Sequence, residues 1–105
     1  MIFIESRLFE RIRDRYLDDD QYRLLQAVLM ERPESGDLIR GSGGIRKVRW
    51  SERGKGKSGG LRVIYYLITR REHLLFLTVY RKSEMSDLSP AEIRRLRDLI
   101  KNLEE

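Results

Sequence analysis

Two segments of apolar and basic residues with a strand-like pattern frame the middle of the chain. Ile45–Trp50 and Leu61–Ile68 are rich in valine, isoleucine, tyrosine and tryptophan, residue types that favour strands. The stretch between them is rich in glycine, serine and lysine, which suits a reversal of the chain. The pattern therefore predicts a β-hairpin with a cationic tip. Its period of two puts Lys47 and Arg49 on one face of the first strand and Arg46 on the other.

Two further apolar runs predict strands that complete a sheet with the hairpin. Met1–Ile4 is wholly apolar, as expected for a strand that is buried on both faces. Leu74–Val79 follows the hairpin after a polar turn at Thr69–Glu72. We expect the hairpin and Leu74–Val79 to form an antiparallel meander of three strands, with Met1–Ile4 pairing somewhere along it.

Helical periodicity and capping residues predict three helices. Ser6 can cap a first helix, because its hydroxyl can accept a hydrogen bond from the first turn. Asp18 can cap a second, which should end just before Pro33. Ser89 is followed by proline and then by Glu92, the arrangement of a capping box with proline at the first helical position. The first two predicted helices are separated by only a few residues and therefore indicate a helical hairpin.

Taken together, these elements predict an α+β fold. It consists of an antiparallel twisted sheet of about four strands, an N-terminal helical hairpin and a C-terminal helix. The chain has 105 residues, of which 40% are hydrophobic and 37% charged. This composition suits a single small domain, residues 1–105, with one modest core.

Composition also excludes several kinds of site. The chain has no cysteine, so neither a disulfide framework nor a cysteine-ligated metal is possible. His73 is the only histidine, and no cluster of ligands at metal-binding spacing accompanies it, so we expect no cofactor and no metal. No apolar run reaches the length of a membrane span, and the first residues lack the pattern of a signal peptide. We therefore expect a cytoplasmic protein with no membrane partner.

The positive charge is concentrated in the middle of the chain. The net charge is +5, but residues 40–82 carry twelve basic and two acidic side chains. Residues 1–37 carry six basic and nine acidic side chains, and residues 83–105 carry four basic and six acidic ones. A field focused in this way attracts phosphates. A solvated, lysine-rich surface would have a similar composition, but here the arginines lie within predicted strands, which favours a polyanion-binding face.

A short glycine-lysine-serine motif at Gly56-Lys57-Ser58 suggests a phosphate-binding loop, but two of its requirements fail. The motif needs a glycine five residues before Gly56, where the chain has Ser51. It also needs a helix directly afterwards, whereas a predicted strand follows. The sequence therefore argues against an ATPase.

The basic residues form a candidate set for RNA chemistry without histidine or metal. Arg62 is a guanidinium within an apolar strand, and it therefore needs an anion or a carboxylate as partner. RNA carries its own nucleophile, the 2′-hydroxyl, so cleavage needs a base, an acid and charge stabilisation at phosphate. Clustered cations lower the pKa of a lysine and so make it a plausible base. The alternative is that the same residues only bind phosphate, and composition and spacing leave both interpretations open.

Several separated motifs resemble a known family. They are GGIRKVR at Gly43–Arg49, GKGKSGG at Gly54–Gly60, LRVIYY at Leu61–Tyr66 and YRKSEMSDLS at Tyr80–Ser89. Their order and spacing are similar to those of HigB-type toxins of the RelE/ParE superfamily. The order of the predicted elements, a strand, two helices, further strands and a terminal helix, agrees with that family over nearly the whole chain.

The resemblance implies the toxin of a type II toxin–antitoxin system. Its expected activity is that of a ribosome-dependent mRNA endonuclease, an mRNA interferase that inhibits translation by metal-independent cleavage using the RNA 2′-hydroxyl. Its expected partners are the ribosome, mRNA and a cognate helix-turn-helix antitoxin, and the toxin itself is expected to be a monomer. The ParE branch of the same fold offers an alternative function, non-catalytic inhibition of DNA gyrase.

The resemblance also assigns roles to individual residues. The chain has no tyrosine in the predicted terminal helix, where some RelE relatives place a functional one, so the assignment of acid and base stays open and includes Tyr80 and Glu84. The expected catalytic residues are Lys55, Lys57, Arg62 and Lys82. The expected RNA-binding residues are Arg46, Lys47, Arg49, Arg53, Tyr80 and Arg81.

Overall fold

Five strands form one sheet, and its spatial order differs from the order along the chain. The computed structural model describes residues 1–52, 60–101 and 103. In this part of the chain the strands are β1 (Ile2–Glu5), β2 (Asp37–Leu38), β3 (Ile45–Trp50), β4 (Leu61–Ile68) and β5 (His73–Arg81), arranged in the order β1-β5-β4-β3-β2. The α-helices are α1 (Arg7–Ile12), α2 (Asp19–Glu31) and α3 (Pro90–Ile100). Short 3₁₀ turns follow α1 at Arg13–Arg15 and β4 at Thr69–Arg71.

The predicted hairpin is confirmed. β3 and β4 have the predicted boundaries and pair antiparallel, with Ile45 opposite Tyr66 and Trp50 opposite Leu61. β5 then pairs antiparallel with β4 along its whole length, with one irregularity in register after Ile64. The antiparallel meander of three strands is therefore present, and the α+β fold class is confirmed.

The first strand differs from the prediction in direction and burial. β1 runs parallel to β5, with Ile2 opposite His73, and it lies at one edge of the sheet. Ile2 is 58% exposed, so the expectation of a strand buried on both faces was wrong. Four apolar residues do not specify strand direction, because parallel and antiparallel partners accept the same side chains. At the other edge, the two-residue strand β2 was not predicted, because it is too short to show a pattern.

The sheet is covered on both faces. On the first face, here called the helical-hairpin face, Phe9 and Leu25 pack with Tyr65 and Phe76. On the second, here called the α3 face, α3 covers residues such as Ile64. Strand alternation therefore decides which side chains lie under the helical hairpin and which lie beside α3.

The predicted helix starts are confirmed by their caps. The Ser6 hydroxyl accepts a hydrogen bond from the Phe9 amide at 3.0 Å, and Asp18 accepts one from the Gln21 amide at 2.8 Å. Ser89 and Glu92 form a reciprocal capping box at the start of α3. These bonds satisfy amide groups that have no partner within the helix, which is why polar residues at these three positions mark helix starts in the sequence.

A buried tyrosine fixes the segment that follows α2. The Tyr65 hydroxyl donates a hydrogen bond to the Pro33 carbonyl at 2.7 Å and accepts one from the Gly36 amide at 2.9 Å. A Cβ at Gly36 would lie 2.8 Å from that hydroxyl, so glycine is required for this close approach.

Helices that are long and apolar enough to cross a membrane are absent from the described part of the chain.

Candidate nucleic-acid cleavage site

Three predicted site residues form one row across the sheet. Arg49 on β3 lies opposite Arg62 on β4, and Arg62 lies opposite Tyr80 on β5. Because residues opposite one another share a face, all three belong to the α3 face. Lys82 comes directly after β5, and its amide donates a hydrogen bond to the Gly60 carbonyl at 3.2 Å. The register therefore brings Arg49, Arg62 and Lys82 to the same end of the sheet, although they are far apart in sequence.

A cleft of about 350 Å³ opens at this end of the sheet. Its walls come from the end of β3, the start of β4 and the residue after β5, so the three strands with the row all contribute to it. The lining residues are Arg49, Trp50, Ser51, Gly60, Arg62 and Lys82. Three of these six residues are cationic and none is acidic, so the cleft suits an anionic group.

Arg62 is the most unusual of these cations. It is only 9% exposed, and its Nη1 donates a hydrogen bond to the Leu61 carbonyl at 3.3 Å. Within residues 1–52 and 60–101, no carboxylate forms an ion pair with it. A buried guanidinium without a counter-charge is costly, and an anionic ligand would offset that cost. The sequence predicted that Arg62 needs either a carboxylate or an external anion, and the described residues supply no carboxylate.

Tyr80 lies beside Arg62 but is enclosed. The residue is 4% exposed, and its hydroxyl is buried without a hydrogen-bond partner among the described residues. Burial raises the pKa of Tyr80, as do the nearby carboxylates of Asp87 and Glu92, whereas Arg62 acts in the opposite direction. The hydroxyl therefore stays protonated near neutral pH and is unsuited to act as a base.

The predicted RNA-binding cations of β3 are divided between the two faces. Lys47 lies on the α3 face, where its Nζ is 3.4 Å from Asp87 Oδ1, and Arg49 is exposed beside it. Arg46 lies on the helical-hairpin face and donates hydrogen bonds to the Gly36 carbonyl at 2.7 Å and to the Glu34 carbonyl at 3.3 Å. Of these three cations, Arg49 is therefore the one that can reach a ligand in the cleft without giving up a partner.

Arg81 also lies on the helical-hairpin face, opposite Leu61. Its guanidinium forms an ion pair with Glu52 at 2.8 Å and lies over the ring of Tyr16, with Cζ 4.7 Å from the ring centroid. The assignment of Arg81 to RNA binding stays a prediction, but the side chain already has partners within the protein.

The family follows from comparison with known proteins. Residues 1–105 match a family model described as the RelE toxin of the RelE/RelB toxin–antitoxin system. The chain belongs to the RelE toxin family. Among solved structures, it is similar to a double arginine-to-alanine mutant of the Escherichia coli toxin RelE in the free state, with a TM-score of 0.60. The two chains are 16% identical, and the match covers 90% of this chain and 94% of the other. At this identity the likeness establishes the fold.

Three of the site residues predicted for this RelE-family chain, Arg53, Lys55 and Lys57, lie outside the described residues. Three lining residues were missed by sequence reasoning: Trp50, Ser51 and Gly60. They could have been identified from the predicted pairing of the two hairpin strands, because this pairing places the residues that flank the tip beside Arg62. In the described part of this RelE-family fold, no three histidine, aspartate or glutamate side chains are grouped closely enough to hold a metal ion.

Proposed function

We propose that this RelE-family toxin is a ribosome-dependent mRNA endonuclease of the HigB type. The observation that carries the proposal is Arg62, a buried guanidinium without a carboxylate partner in the described residues, facing a cleft with two further cations. A phosphodiester is the anion that such a cleft fits best. A toxin that acted only by binding a protein surface would not need a buried arginine in this position.

The proposed reaction uses the RNA as its own nucleophile. The 2′-oxygen attacks the adjacent phosphorus and loses its proton to a base, while the bond from phosphorus to the 5′-oxygen breaks and that oxygen takes up a proton. Arg62 stabilises the charge that grows on the phosphate oxygens, because its fork of N–H donors matches two oxygens at once. Since the RNA supplies the nucleophile and arginine the charge stabilisation, the reaction as proposed uses no metal.

The other cations have distinct proposed roles. Arg49 binds a phosphate that flanks the scissile one, because it lines the cleft beside Arg62. The proposed base is a lysine, Lys55, Lys57 or Lys82; Tyr80 is unsuited to the role, because its hydroxyl is enclosed and its pKa is raised. A cognate helix-turn-helix antitoxin is the proposed partner that neutralises the monomeric toxin in the cytoplasm.

The test is cleavage of a reporter mRNA on purified translating ribosomes, mapped by primer extension. We expect the wild-type protein to cut the mRNA, and Arg62→Ala to cut at least about a hundredfold more slowly while binding the ribosome normally. Arg11→Ala is the matched control, because it removes the same charge from an exposed site on α1 on the opposite face of the sheet.

Two results would reject the proposal. The first is an uncut mRNA together with inhibition of DNA gyrase supercoiling by the same preparation, which would support the ParE-like alternative. The second is equal cleavage by the wild type, Arg62→Ala and Arg11→Ala, which would remove Arg62 from the reaction.

A further inference from the structure

Arg81 contacts partners from three separate segments. Its Nε and Nη2 both contact Glu52 Oε1, at 2.9 Å and 2.8 Å. Nη2 also donates to the Arg15 carbonyl at 3.1 Å, and the guanidinium lies over the Tyr16 ring. Its third nitrogen, Nη1, is 3.8 Å from Glu84 Oε2. The guanidinium is thus held by a carboxylate, a carbonyl and a ring, with a second carboxylate near by.

The backbone of Arg81 takes part in the same arrangement. Its amide donates a hydrogen bond to Glu84 Oε1 at 2.9 Å, and this bond lowers the pKa of the Glu84 carboxyl. Glu84 therefore stays ionised well below neutral pH. The Glu52 side chain is 13% exposed and that of Arg81 30%, so the ion pair between them is partly sheltered from solvent and from salt screening.

The position of this pair relates it to the cleft. Glu52 is two residues beyond the end of β3, and Arg81 is the last residue of β5, directly before Lys82. The start of β4 lies between these two strand ends, with Lys82 bonded to Gly60. The Glu52–Arg81 pair therefore joins the two outer strands of the three that carry Arg49, Arg62 and Tyr80. It does so from the face opposite to the row.

We propose that Arg81 is a positioning residue for RNA cleavage and that it acts through Glu52. By joining the ends of β3 and β5 it holds Arg49, Arg62 and Lys82 at the separations that the scissile phosphate needs. The inference rests on the proposed function for its effect on cleavage. Displacements of about 1 Å at a reacting phosphate lower rates by about a hundredfold. An ion pair that fixes the ends of these strands therefore has a measurable effect on the cleavage rate.

Neutralising Glu52 separates this role from simple electrostatics. Glu52→Gln makes the protein more positive by one charge, so a purely electrostatic role predicts tighter RNA binding and cleavage that is unchanged or faster. A positioning role predicts the opposite for cleavage, with kcat at least about tenfold lower even where binding is tighter. Glu10→Gln is the matched control, because it makes the same change at an exposed site on α1.

A second variant tests Arg81 itself. Arg81→Lys keeps the positive charge but loses the fork that holds Glu52 and the Arg15 carbonyl. We expect kcat to fall at least about tenfold, while KM for the ribosome changes less than about twofold. An RNA ligand would behave differently, because lysine retains most of a phosphate contact and its loss would appear in KM and in the salt dependence of binding.

Amide hydrogen exchange provides a measurement that needs no cleavage. The Lys82 amide should exchange at least about tenfold faster in Glu52→Gln and in Arg81→Lys than in the wild type, with global stability little changed. Absence of cleavage by the wild type would reject the proposed function. The exchange data would still test whether the Glu52–Arg81 pair holds the ends of β3 and β5 together. Unchanged exchange in both variants, or cleavage by Glu52→Gln that is unchanged or faster, would overturn the inference.

Discussion

Arg62 and Tyr80 lie directly opposite each other on β4 and β5, yet neither provides the hydrogen-bond partner that the other lacks. Among the described residues, Arg62 has a single hydrogen bond, to the neighbouring Leu61 carbonyl, and the Tyr80 hydroxyl has none. Arg62 lines the cleft, whereas Tyr80 is buried on the same face of the sheet. A phosphate that enters the cleft can therefore contact Arg62 but not the Tyr80 hydroxyl.

Arginine geometry at position 62 should matter beyond its charge. We expect Arg62→Lys to restore only part of the rate lost in Arg62→Ala, leaving cleavage at least about tenfold below the wild type, because an ammonium cannot contact two phosphate oxygens in parallel. Single-turnover cleavage on the ribosome measures this directly. Arg11→Lys serves as the control and should cleave normally. Full activity of Arg62→Lys would show that charge alone suffices.

The Tyr80 hydroxyl should be dispensable. Tyr80→Phe removes a buried group without a partner in the described residues, so we expect the free energy of unfolding to stay within about 1 kcal/mol of the wild type or to rise. Cleavage should change less than about twofold, since a buried phenol with a raised pKa neither donates to nor accepts from the RNA. Urea titration and the ribosome assay check the two parts. A hundredfold loss of cleavage would instead make Tyr80 a participant in the reaction.

The same substitution at Tyr65 should have a large effect on stability. Tyr65→Phe removes the hydrogen bonds to the Pro33 carbonyl and from the Gly36 amide, and it leaves that buried amide unpaired. We expect the free energy of unfolding to fall by about 1–3 kcal/mol. Tyr80→Phe is the matched control for this measurement. Equal free energies of unfolding for the two variants would contradict the expectation that the Tyr65 hydrogen bonds stabilise the fold and that the Tyr80 hydroxyl does not.

Stability should decrease at alkaline pH. Burial raises the pKa of Tyr22 well above its ordinary value of 10.0, and so does its hydrogen bond to Glu5. The unfolded chain therefore loses this proton first, so the contribution of Tyr22 to the free energy of unfolding is constant below about pH 9 and falls as the pH rises above about 10. Urea titrations between about pH 8 and pH 11 test this expectation, and Tyr22→Phe should show a smaller fall. A fall of the same size in Tyr22→Phe would assign the effect to other groups.

Much of the fold was predictable from local signals. The strand-forming residues predicted β3 and β4, and Ser89 with Glu92 predicted the start of α3. These signals depend only on residues a few positions apart, so the sequence contains them in full. The direction of β1 was not predictable from the same signals, since it depends on which distant strand accepts it. β2 is two residues long and carries no pattern.

The candidate site shows the same limit. Alternation along β3 separated Arg46 from Arg49, and Arg62 was recognisable as a charge inside an apolar strand. The environment of Arg81 was not recognisable, because Glu52 and Tyr16 are distant in sequence and become its neighbours only through the register of the sheet. Arg81 was therefore interpreted as an RNA ligand from its position in a positive segment, and that assignment stays a prediction.

The parallel pairing of β1 with β5 has a consequence for the synthesis of the protein. Ile2 is synthesised well before its strand partner His73, and Ser6 well before Leu77, to whose carbonyl its hydroxyl donates a hydrogen bond. The cleft likewise needs residues as far along the chain as Lys82. Native contacts over such separations form slowly and only after the later segment is available. A growing chain thus cannot assemble the cleft until Lys82 has left the ribosome, so the complete cleft appears only some time after Arg49 and Arg62 have been synthesised.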